Sequence, residues 1–313
     1  MTNGPVHGWV AGRCAIVPSE DATDLIFDEI MGEGAFHDDE TEMWWWRSLP
    51  TAYHPETGNQ KLIQSFPKIG SLCKLVIFEN DNESYAETYR APAVRVPSQD
   101  VSLKLARISQ HLEMLSAAFM ADASHFFAAP QIQDSWTWGK LASLALTSNV
   151  LTGDADPLHV DEMLQNAATA ALKMPKLNIM ELWNGRKGVA MLFRYQRAQE
   201  DGQPPTITIR GTSELGLGTG VVEAWDMVAY QHSYQHCHSK VVIRTSSIDA
   251  KGIRSHGDAI CQLGLLTEVT RPVSLRQIIN ENSVSRLRPS PQSSYSALYS
   301  YRSYCVALNT WFS

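Results

Sequence analysis

Several signals that would place this chain of 313 residues in a familiar functional class are missing. No apolar run approaches the roughly 20 residues of a membrane-spanning helix, so we expect no membrane partner. The five cysteines are scattered, odd in number and never arranged as C-x-x-C, which predicts reduced thiols rather than a disulfide framework. The first residues lack the charged head and apolar run of a secretory signal. We therefore expect a cytoplasmic or nuclear protein, and no lysine-rich block decides between the two compartments.

An excess of positive charge is missing as well. Lysine and arginine number 26 against 33 aspartates and glutamates, for a formal net charge of −7. A general nucleic-acid-binding protein normally presents a basic face, so this balance predicts no nucleic-acid partner. Hydrophobic residues at 44% and charged residues at 19% are typical of a globular domain. Composition leaves the oligomeric state open.

Recognisable catalytic motifs are scarce. The chain has no G-x-S-x-G, no complete G-x-G-x-x-G and no P-loop GK[ST]. The run Gly216–Gly220 resembles a phosphate cradle, but we interpret it as a loose turn into a helix. Ser255, His256 and Asp258 have the residue types of a hydrolase triad, yet triads are assembled from distant positions. We therefore predict a non-catalytic protein without a cofactor; the alternative is an uncharacterised enzyme that uses the histidine-rich region 232–256.

Three histidines lie close together in QHSYQHCHSK. His232 and His236 are four residues apart, so a helix would place both on one face, as a zinc site requires. No glutamate stands between them in the H-E-x-x-H manner. We interpret the run as the end of a surface helix, and a metal site made of His232, His236 and His238 is the weaker alternative.

The most ordered pattern is LASLALTSNVL, residues 141–151, which matches the leucine-rich-repeat spacing L-x-x-L-x-L-x-x-N-x-L. Leu144 and Leu146 alternate as they do in a strand, so both should point into one core. Leu141 and Leu151 should close that core on either side of the strand. A single repeat cannot bury its own apolar face, so the pattern predicts neighbouring repeats.

Weaker repeat starts occur at three other leucines. Together with Leu141 they are Leu72, Leu112 and Leu177. Their spacing is irregular, from 29 residues (Leu112 to Leu141) to 40 residues (Leu72 to Leu112). Helical patterns over residues 101–111 and 161–174 separate the strands. The sequence thus predicts an α/β fold, an irregular leucine-rich-repeat-like solenoid of parallel strands with outer helices. Met180 and Leu182 should be buried beside Leu144 and Leu146.

Three regions follow from these patterns. Residues 1–65 are predicted to form an N-terminal cap and loops, including a short helix over Asp24–Met31. Residues 66–282 form the repeat-like domain. After residue 189 we expect strands over 189–195, 206–210 and 240–245, and helices over 221–234, part of 248–265 and 273–280. Residues 283–313, rich in Ser, Tyr, Arg and Pro, are predicted to be a disordered tail.

Tryptophan and arginine beside the strands are the candidate binding residues. Three adjacent tryptophans, Trp44, Trp45 and Trp46, cannot all face one core. Trp183 directly follows a predicted strand residue, and Arg186 lies in the turn after it. These residue types dominate binding energetics when they are exposed on a rigid scaffold. The alternative is that the tryptophans pack over a cap or over the end of the strand.

Several blocks in fixed order resemble one protein family. They are LEMLSAAFMADASHFF (112–127), the repeat from Trp138 to Leu151, NAATAALKMPKLNIMELWNGRKGVAMLFRY (166–195), TITIRGT with VVEAWDMVA (206–229), and IRSHGDAICQLGL through RPVSLRQI (253–278). Over roughly residues 66–280 the chain resembles filamentous-fungal proteins of unknown function, often described with an N-terminal F-box.

That resemblance implies a protein-interaction scaffold. F-box proteins with leucine-rich repeats are similar to substrate receptors of cullin-type ubiquitin ligases, in which the F-box binds the adaptor and the repeats bind the substrate. This chain has no helix-opening Leu-Pro-x-Glu near its start. The resemblance therefore implies an intracellular substrate-recognition module of F-box type without an evident F-box, with a protein partner whose identity the sequence does not give.

Overall fold

The computed structural model describes the chain in separate segments. They are residues 7–10, 13–16, 33–39, 42–48, 72–80, 97–128, 135–198, 203–232 and 240–284, with the backbone alone for the first four segments and for residues 80 and 281–284. The predicted helix over Asp24–Met31 lies outside the described residues, as does the predicted tail beyond residue 284.

Eleven described strands form a short hairpin and one large sheet. They are β1 (His7–Val10), β2 (Arg13–Ile16), β3 (Glu33–Asp39), β4 (Glu42–Ser48), β5 (Lys74–Asn80), β6 (Met114–Asp122), β7 (Ser143–Thr147), β8 (Ile179–Arg186), β9 (Val189–Gln196), β10 (Thr206–Gly211) and β11 (Val242–Ser247). The hairpin is β1–β2. The sheet has nine strands whose spatial order equals their chain order, from β3 at one edge to β11 at the other. It is an open sheet, not a closed barrel.

The sheet is mostly parallel, with three antiparallel pairs. Strands β4 to β8 run parallel, and so do β10 and β11. The pairs β3–β4, β8–β9 and β9–β10 are antiparallel. The turn between β8 and β9 is only two residues long, Lys187 and Gly188, and Gly188 adopts a positive φ of 76°. A turn this tight can join only antiparallel neighbours, so β9 returns along β8, as the predicted turn and strand over 189–195 require.

Six helices accompany the described strands. They are α1 (Gln99–Ile108), α2 (Ala123–Phe127), α3 (Pro157–Ala171), α4 (Thr219–His232), α5 (His256–Leu263) and α6 (Pro272–Val284). Helix α3 begins four residues before its predicted start because Asp156 caps it, accepting a hydrogen bond from the Leu158 N–H, and Pro157 takes the first helical position. Helices α1, α3 and α4 are the crossovers between parallel strands. Within the described residues, no helix combines the length and apolar character that crossing a bilayer requires.

The four predicted repeat starts mark the four central parallel strands. Leu72, Leu112, Leu141 and Leu177 each precede the first residue of a strand by two positions, and all four are buried. In register, Leu144 opposes Met180 and Leu146 opposes Leu182 on neighbouring parallel strands. The predicted strand–helix–strand unit is therefore confirmed, with α3 between the two strands.

The face of the sheet that carries the crossover helices, which we call the front face, holds the larger core. Alternate strand residues such as Leu75, Leu115, Leu144 and Phe193 point to it. Helices α1 to α4 cover these side chains with their own apolar residues, including Leu164 and Trp225. The front face is the core that the leucine spacing predicted.

The opposite face, the back face, is also buried. Phe78, Ala118, Ala145, Trp183 and Leu192 form a second core on it. They pack against buried residues of the C-terminal segment 248–280, listed as Ile248, Ile253, Ala259, Ile260, Leu263, Val269 and Ile278. The sequence predicted outer helices but did not place any segment on this second face. Strands that are apolar on both sides need a covering layer on each face.

A buried carboxylate fastens the C-terminal segment to the back face. Glu181, fully buried on β8, accepts hydrogen bonds from Arg194 Nε at 2.7 Å, Leu266 N at 3.0 Å and Thr267 N at 2.7 Å. Arg194 also donates to the Gly264 carbonyl. The charges of Glu181 and Arg194 therefore have hydrogen-bond partners, which ions removed from water require. Glu181 thus fixes residues 264–267 over the sheet.

We expect Leu144→Ala to lower the free energy of unfolding by about 2–5 kcal/mol, the range for buried leucines whose removal leaves a cavity. Leu158→Ala is the matched control, because that leucine is 75% exposed on α3. Urea denaturation measures both variants. Equal midpoints for Leu144→Ala and wild type would show that Leu144 is not a core residue.

Glu181→Gln should destabilise the fold by on the order of 3 kcal/mol, because it leaves Arg194, whose side chain is only 11% exposed, without its counter-charge. Amide hydrogen exchange at Leu266 and Thr267 should accelerate more than exchange in β8. The control is Arg254→Gln, which removes the pair with Asp258 in which the Arg254 side chain is half exposed, and which should change stability little. Unchanged exchange at both amides would contradict the anchoring role.

Candidate functional site

The predicted binding residues lie in three different environments. Residues 44–46 belong to β4 and pair in parallel register with Val76–Phe78 of β5, and their side chains are outside the described part of the structure. Trp183 is fully buried on the back face. Arg186 ends β8 opposite Val189 and is partly exposed. The structure therefore does not bring these residues together, and Trp183 is a buried core residue in the middle of β8.

An unusual bulge lies at the carboxyl end of β6. The register with β7 jumps from Ala117 to Asp122, and Phe119 within the jump has a positive φ of 63°. Thr147 stabilises it: its hydroxyl accepts from the Phe119 N–H at 2.8 Å and donates to the Ala121 carbonyl at 3.0 Å. A left-handed phenylalanine costs conformational free energy, so the surrounding contacts must hold it in place.

Asp122 organises the loops at the same edge. Its carboxylate accepts from the Ser124 N–H at 2.8 Å, capping α2, and from the Asn149 N–H at 2.7 Å. Asn184 donates from its side-chain amide to the Leu151 carbonyl at 3.2 Å. These carboxyl-end polar groups bind the protein's own backbone, so they fix the shape of the strand-end loops.

The bulge sends Phe119 into an aromatic cluster on the back face. Its ring lies edge-on to Phe78 at 5.7 Å, Trp183 at 5.3 Å and His256 at 5.5 Å between centroids. Edge-to-face packing at these distances is favourable. Since His256 opens α5, the cluster joins the sheet to the C-terminal segment. Its members are core residues of that junction.

Ser255 and Asp258, two of the residues with hydrolase-triad side chains, make local contacts at the start of α5. Ser255 is the N-cap of α5, and its hydroxyl accepts from the Asp258 N–H at 3.4 Å. The Asp258 carboxylate accepts from the Arg254 guanidinium at 3.0 and 3.1 Å. Asp258 is thus turned to Arg254 while the His256 ring packs on phenylalanines.

The glycine run before α4 holds a carboxylate of the chain itself. Asp161 of α3 accepts from the Gly218 N–H at 3.2 Å, and a side chain at Gly218 would collide with that carboxylate. A phosphate would have to displace Asp161 from this helix start. The arrangement is that of a packed turn between α3 and α4.

His232 is a buried histidine at the end of α4. Its Nδ1 lies 3.3 Å from the Tyr195 hydroxyl of β9. Burial, with the positive charge of Arg197 adding to it, lowers the pKa of His232 to about 4, and burial raises the pKa of Tyr195. His236 and His238 lie outside the described residues. Where side chains are described, no three His, Cys, Asp or Glu residues are placed to hold a metal ion.

Among the strands whose side chains the structure describes, the edge strand β11 is the most accessible. All six of its residues are exposed, including Val242 at 39% and Ile243 at 40%. Within the part of the chain that the structure describes, β10 is its one strand partner. An exposed strand edge presents unpaired backbone N–H and C=O groups to solvent. The sequence predicted this strand but not its position, since TITIR of β10 shows the same alternation.

Basic side chains accompany this edge. Arg244 stands opposite Thr208 in register, on the back-face side, and Lys240 is exposed just before the strand. Arg210 of β10 points to the same side, and its Nε is buried without a hydrogen-bond partner. Asp226 is the nearest acid on α4, and it accepts from the Val241 N–H at 2.8 Å. We call the surface formed by β11, Lys240 and Arg210 the edge surface. It is open to solvent and positively charged.

We predict that His232 makes stability depend on pH between about 6.5 and 4. The unfolded chain protonates this histidine near its ordinary pKa of 6.5, whereas the folded protein does so near 4. Between these values the unfolded state binds more protons, so stability falls as pH falls, by up to about 1.4 kcal/mol per pH unit.

Urea denaturation across this range measures the effect. His232→Gln should flatten the pH profile relative to wild type, while His159→Gln, which alters an exposed histidine of α3, should leave it unchanged. Parallel profiles for wild type and His232→Gln would contradict the buried neutral state.

Comparison with known proteins gives one match. A model of a family of unknown function (DUF6546) matches residues 65–271, close to the region 66–280 over which the resemblance was drawn. No F-box or leucine-rich-repeat family is found. No curated protein and no solved structure matches the chain. Because the family model covers more than half of the sequence, the chain belongs to the DUF6546 family of unknown function.

Proposed function

We propose that this protein is a non-catalytic interaction scaffold whose sheet is an irregular leucine-rich-repeat-like solenoid. The observation that carries the proposal is the strand order. Every strand from β3 to β11 lies beside its neighbours in the chain, and helices α1, α3 and α4 return the chain over one face. Quasi-one-dimensional stacking of this kind characterises solenoids, which serve as extended binding surfaces.

The binding surface of this scaffold consists of its strand-end loops and its open edge. Solenoids of this type commonly bind partners on the open face of the strands, but here residues 248–280 pack on that face. Trp183 is buried by this packing and is not available to a partner. The exposed groups beside the strands are therefore Arg186 at the β8–β9 turn and the edge surface around β11.

Arg186 is suited to contact a partner from the loop side. A hydrogen bond from Thr152 lowers the pKa of the exposed Asp154, and the charge of Arg186 adds to this effect, which places the two charged groups near each other. Attraction between exposed charges contributes little to stability, so Arg186 can exchange this neighbour for a partner at small cost. Arginine on a rigid turn is a frequent interface anchor.

A role as a substrate receptor of F-box type remains part of the proposal. It is supported by the resemblance of residues 66–280 to fungal proteins described with an F-box. The receptor would act in the cytoplasm or nucleus, and its F-box would have to be an unrecognised one. Capture of a cullin adaptor by the chain would support this specific role, and capture of other proteins alone would leave the scaffold without it.

The scaffold role is tested by affinity capture from extract of the native organism with the tagged full chain. We expect wild type to retain a partner that Arg186→Ala loses, with an unchanged melting temperature. Arg107→Ala is the matched control, because Arg107 is exposed on α1 far along the sheet. Retention of every partner by Arg186→Ala would remove this turn from the binding surface. Capture of the same proteins by the full chain and by a tag-only control would contradict the scaffold function.

A further inference from the structure

We infer that β11 binds an extended, acidic segment of a partner protein as an additional strand of the sheet. This inference rests on the proposed scaffold function and names the kind of partner that it would hold. Addition of a strand to an exposed edge takes its affinity from main-chain hydrogen bonds and its selectivity from the side chains that flank the new strand.

The backbone of β11 has a defined open side. The Val242 N–H donates to the Pro205 carbonyl at 2.9 Å, and the Ile248 N–H donates to the Gly211 carbonyl at 2.8 Å. Even-numbered residues of the strand therefore direct their backbone groups to the β10 side. Because successive residues alternate, Ile243, Thr245 and Ser247 direct theirs away from the sheet. Three consecutive outward positions are enough to receive a short strand.

Accessibility supports the same conclusion. Each residue from Val242 to Ser247 is exposed, whereas every residue of β8 from Met180 to Gly185 is buried. Val242 and Ile243 point to opposite sides of the sheet, so an added strand would find an apolar contact above and below. Proteins usually blunt such an edge or cover it. An open edge with two exposed β-branched residues is suited to a partner strand.

Charge selects the chemistry of the partner. Val242 and Arg244 project on the back-face side, where Arg210 stands on β10 with its Nε buried and without a hydrogen-bond partner. Residues 240–247 carry Lys240 and Arg244 and no acidic side chain. Opposite charges on neighbouring strands attract, and a carboxylate can accept hydrogen bonds from a guanidinium. The added strand should therefore alternate acidic residues, beside Arg244, with apolar residues on the other side.

The same charge disfavours a second copy of this chain. Two β11 strands pairing about their centres would bring the Arg244 side chains of both copies into neighbouring positions on one face. Like charges on paired strands repel. Lysine or arginine in an edge strand is a known protection against self-pairing. The edge surface is thus closed to its own copy and open to an acidic strand.

The test measures binding of two fluorescein-labelled octapeptides to the full chain by fluorescence anisotropy. One peptide repeats Glu-Val four times, and the other repeats Lys-Val. We expect wild type to bind the Glu-Val peptide and not the Lys-Val peptide, with affinity falling as salt rises. Arg244→Glu should weaken binding of the Glu-Val peptide by about tenfold or more and increase the affinity for the Lys-Val peptide, because the charge beside the added strand sets selectivity.

Thr245→Pro tests the hydrogen-bonding geometry. Proline removes the outward N–H of residue 245 and leaves the hydrogen bonds between β10 and β11 in place. The melting temperature should therefore be unchanged, while affinity for the Glu-Val peptide should fall by about tenfold or more. Thr245→Val is the matched control, since it keeps both the N–H and the branched side chain. If Thr245→Pro does not fold, the Arg244→Glu result and the salt dependence decide.

Three results would overturn the inference. One is equal binding of both peptides, and another is full Glu-Val binding by Thr245→Pro. The third is sedimentation of wild type as a dimer that Thr245→Pro converts to monomer, which would identify a second copy as the occupant. The scaffold function is judged separately: a captured partner that Thr245→Pro retains would leave it standing while the edge surface fails.

Discussion

Burial of the central strands on both sides is the constraint on which this structure depends. Every residue of β8 from Met180 to Gly185 is buried, so neither face of the sheet can meet water there. Parallel strands of this kind are stable only between two covering layers. The crossover helices supply the layer on the front face, and residues 248–280 supply the layer on the back face. Both layers are therefore integral parts of the fold, each completing the core on its own face.

The polar contacts of the back face give this second layer a single position. The Glu181 carboxylate is satisfied only when Arg194, Leu266 and Thr267 all donate to it. A shift of the segment would leave a buried charge without partners, which costs far more than a shift between apolar surfaces. The Phe119 cluster joins the segment to the sheet near the carboxyl end of β6. Both faces of the central strands are therefore covered by other parts of the chain.

Local patterns predicted the front half of the fold well. Leu72, Leu112, Leu141 and Leu177 each precede a strand by two residues and are buried. The repeat spacing predicted them because it depends only on how the chain turns locally into the front core. The bulge at Phe119 was not predictable in this way. It depends on the Thr147 hydroxyl, 28 residues away in the chain, and no neighbour in sequence signals a left-handed phenylalanine. The candidate site was predicted less well than the fold, because exposure of Trp183 or Arg186 depends on distant elements.

Sequence periodicity by itself determined the leucines of the front core and which segments form strand or helix, since both follow from side-chain direction along a few consecutive residues. Only the tertiary structure decided what covers them. Trp183 is buried because α5 packs over it from more than 70 residues further along the chain. The strands TITIR and KVVIRT look alike in sequence, yet among the described strands β10 has a neighbour on each side and β11 on one. That difference arises from strand order, which is a property of the assembled sheet and has no trace in the alternation of either strand.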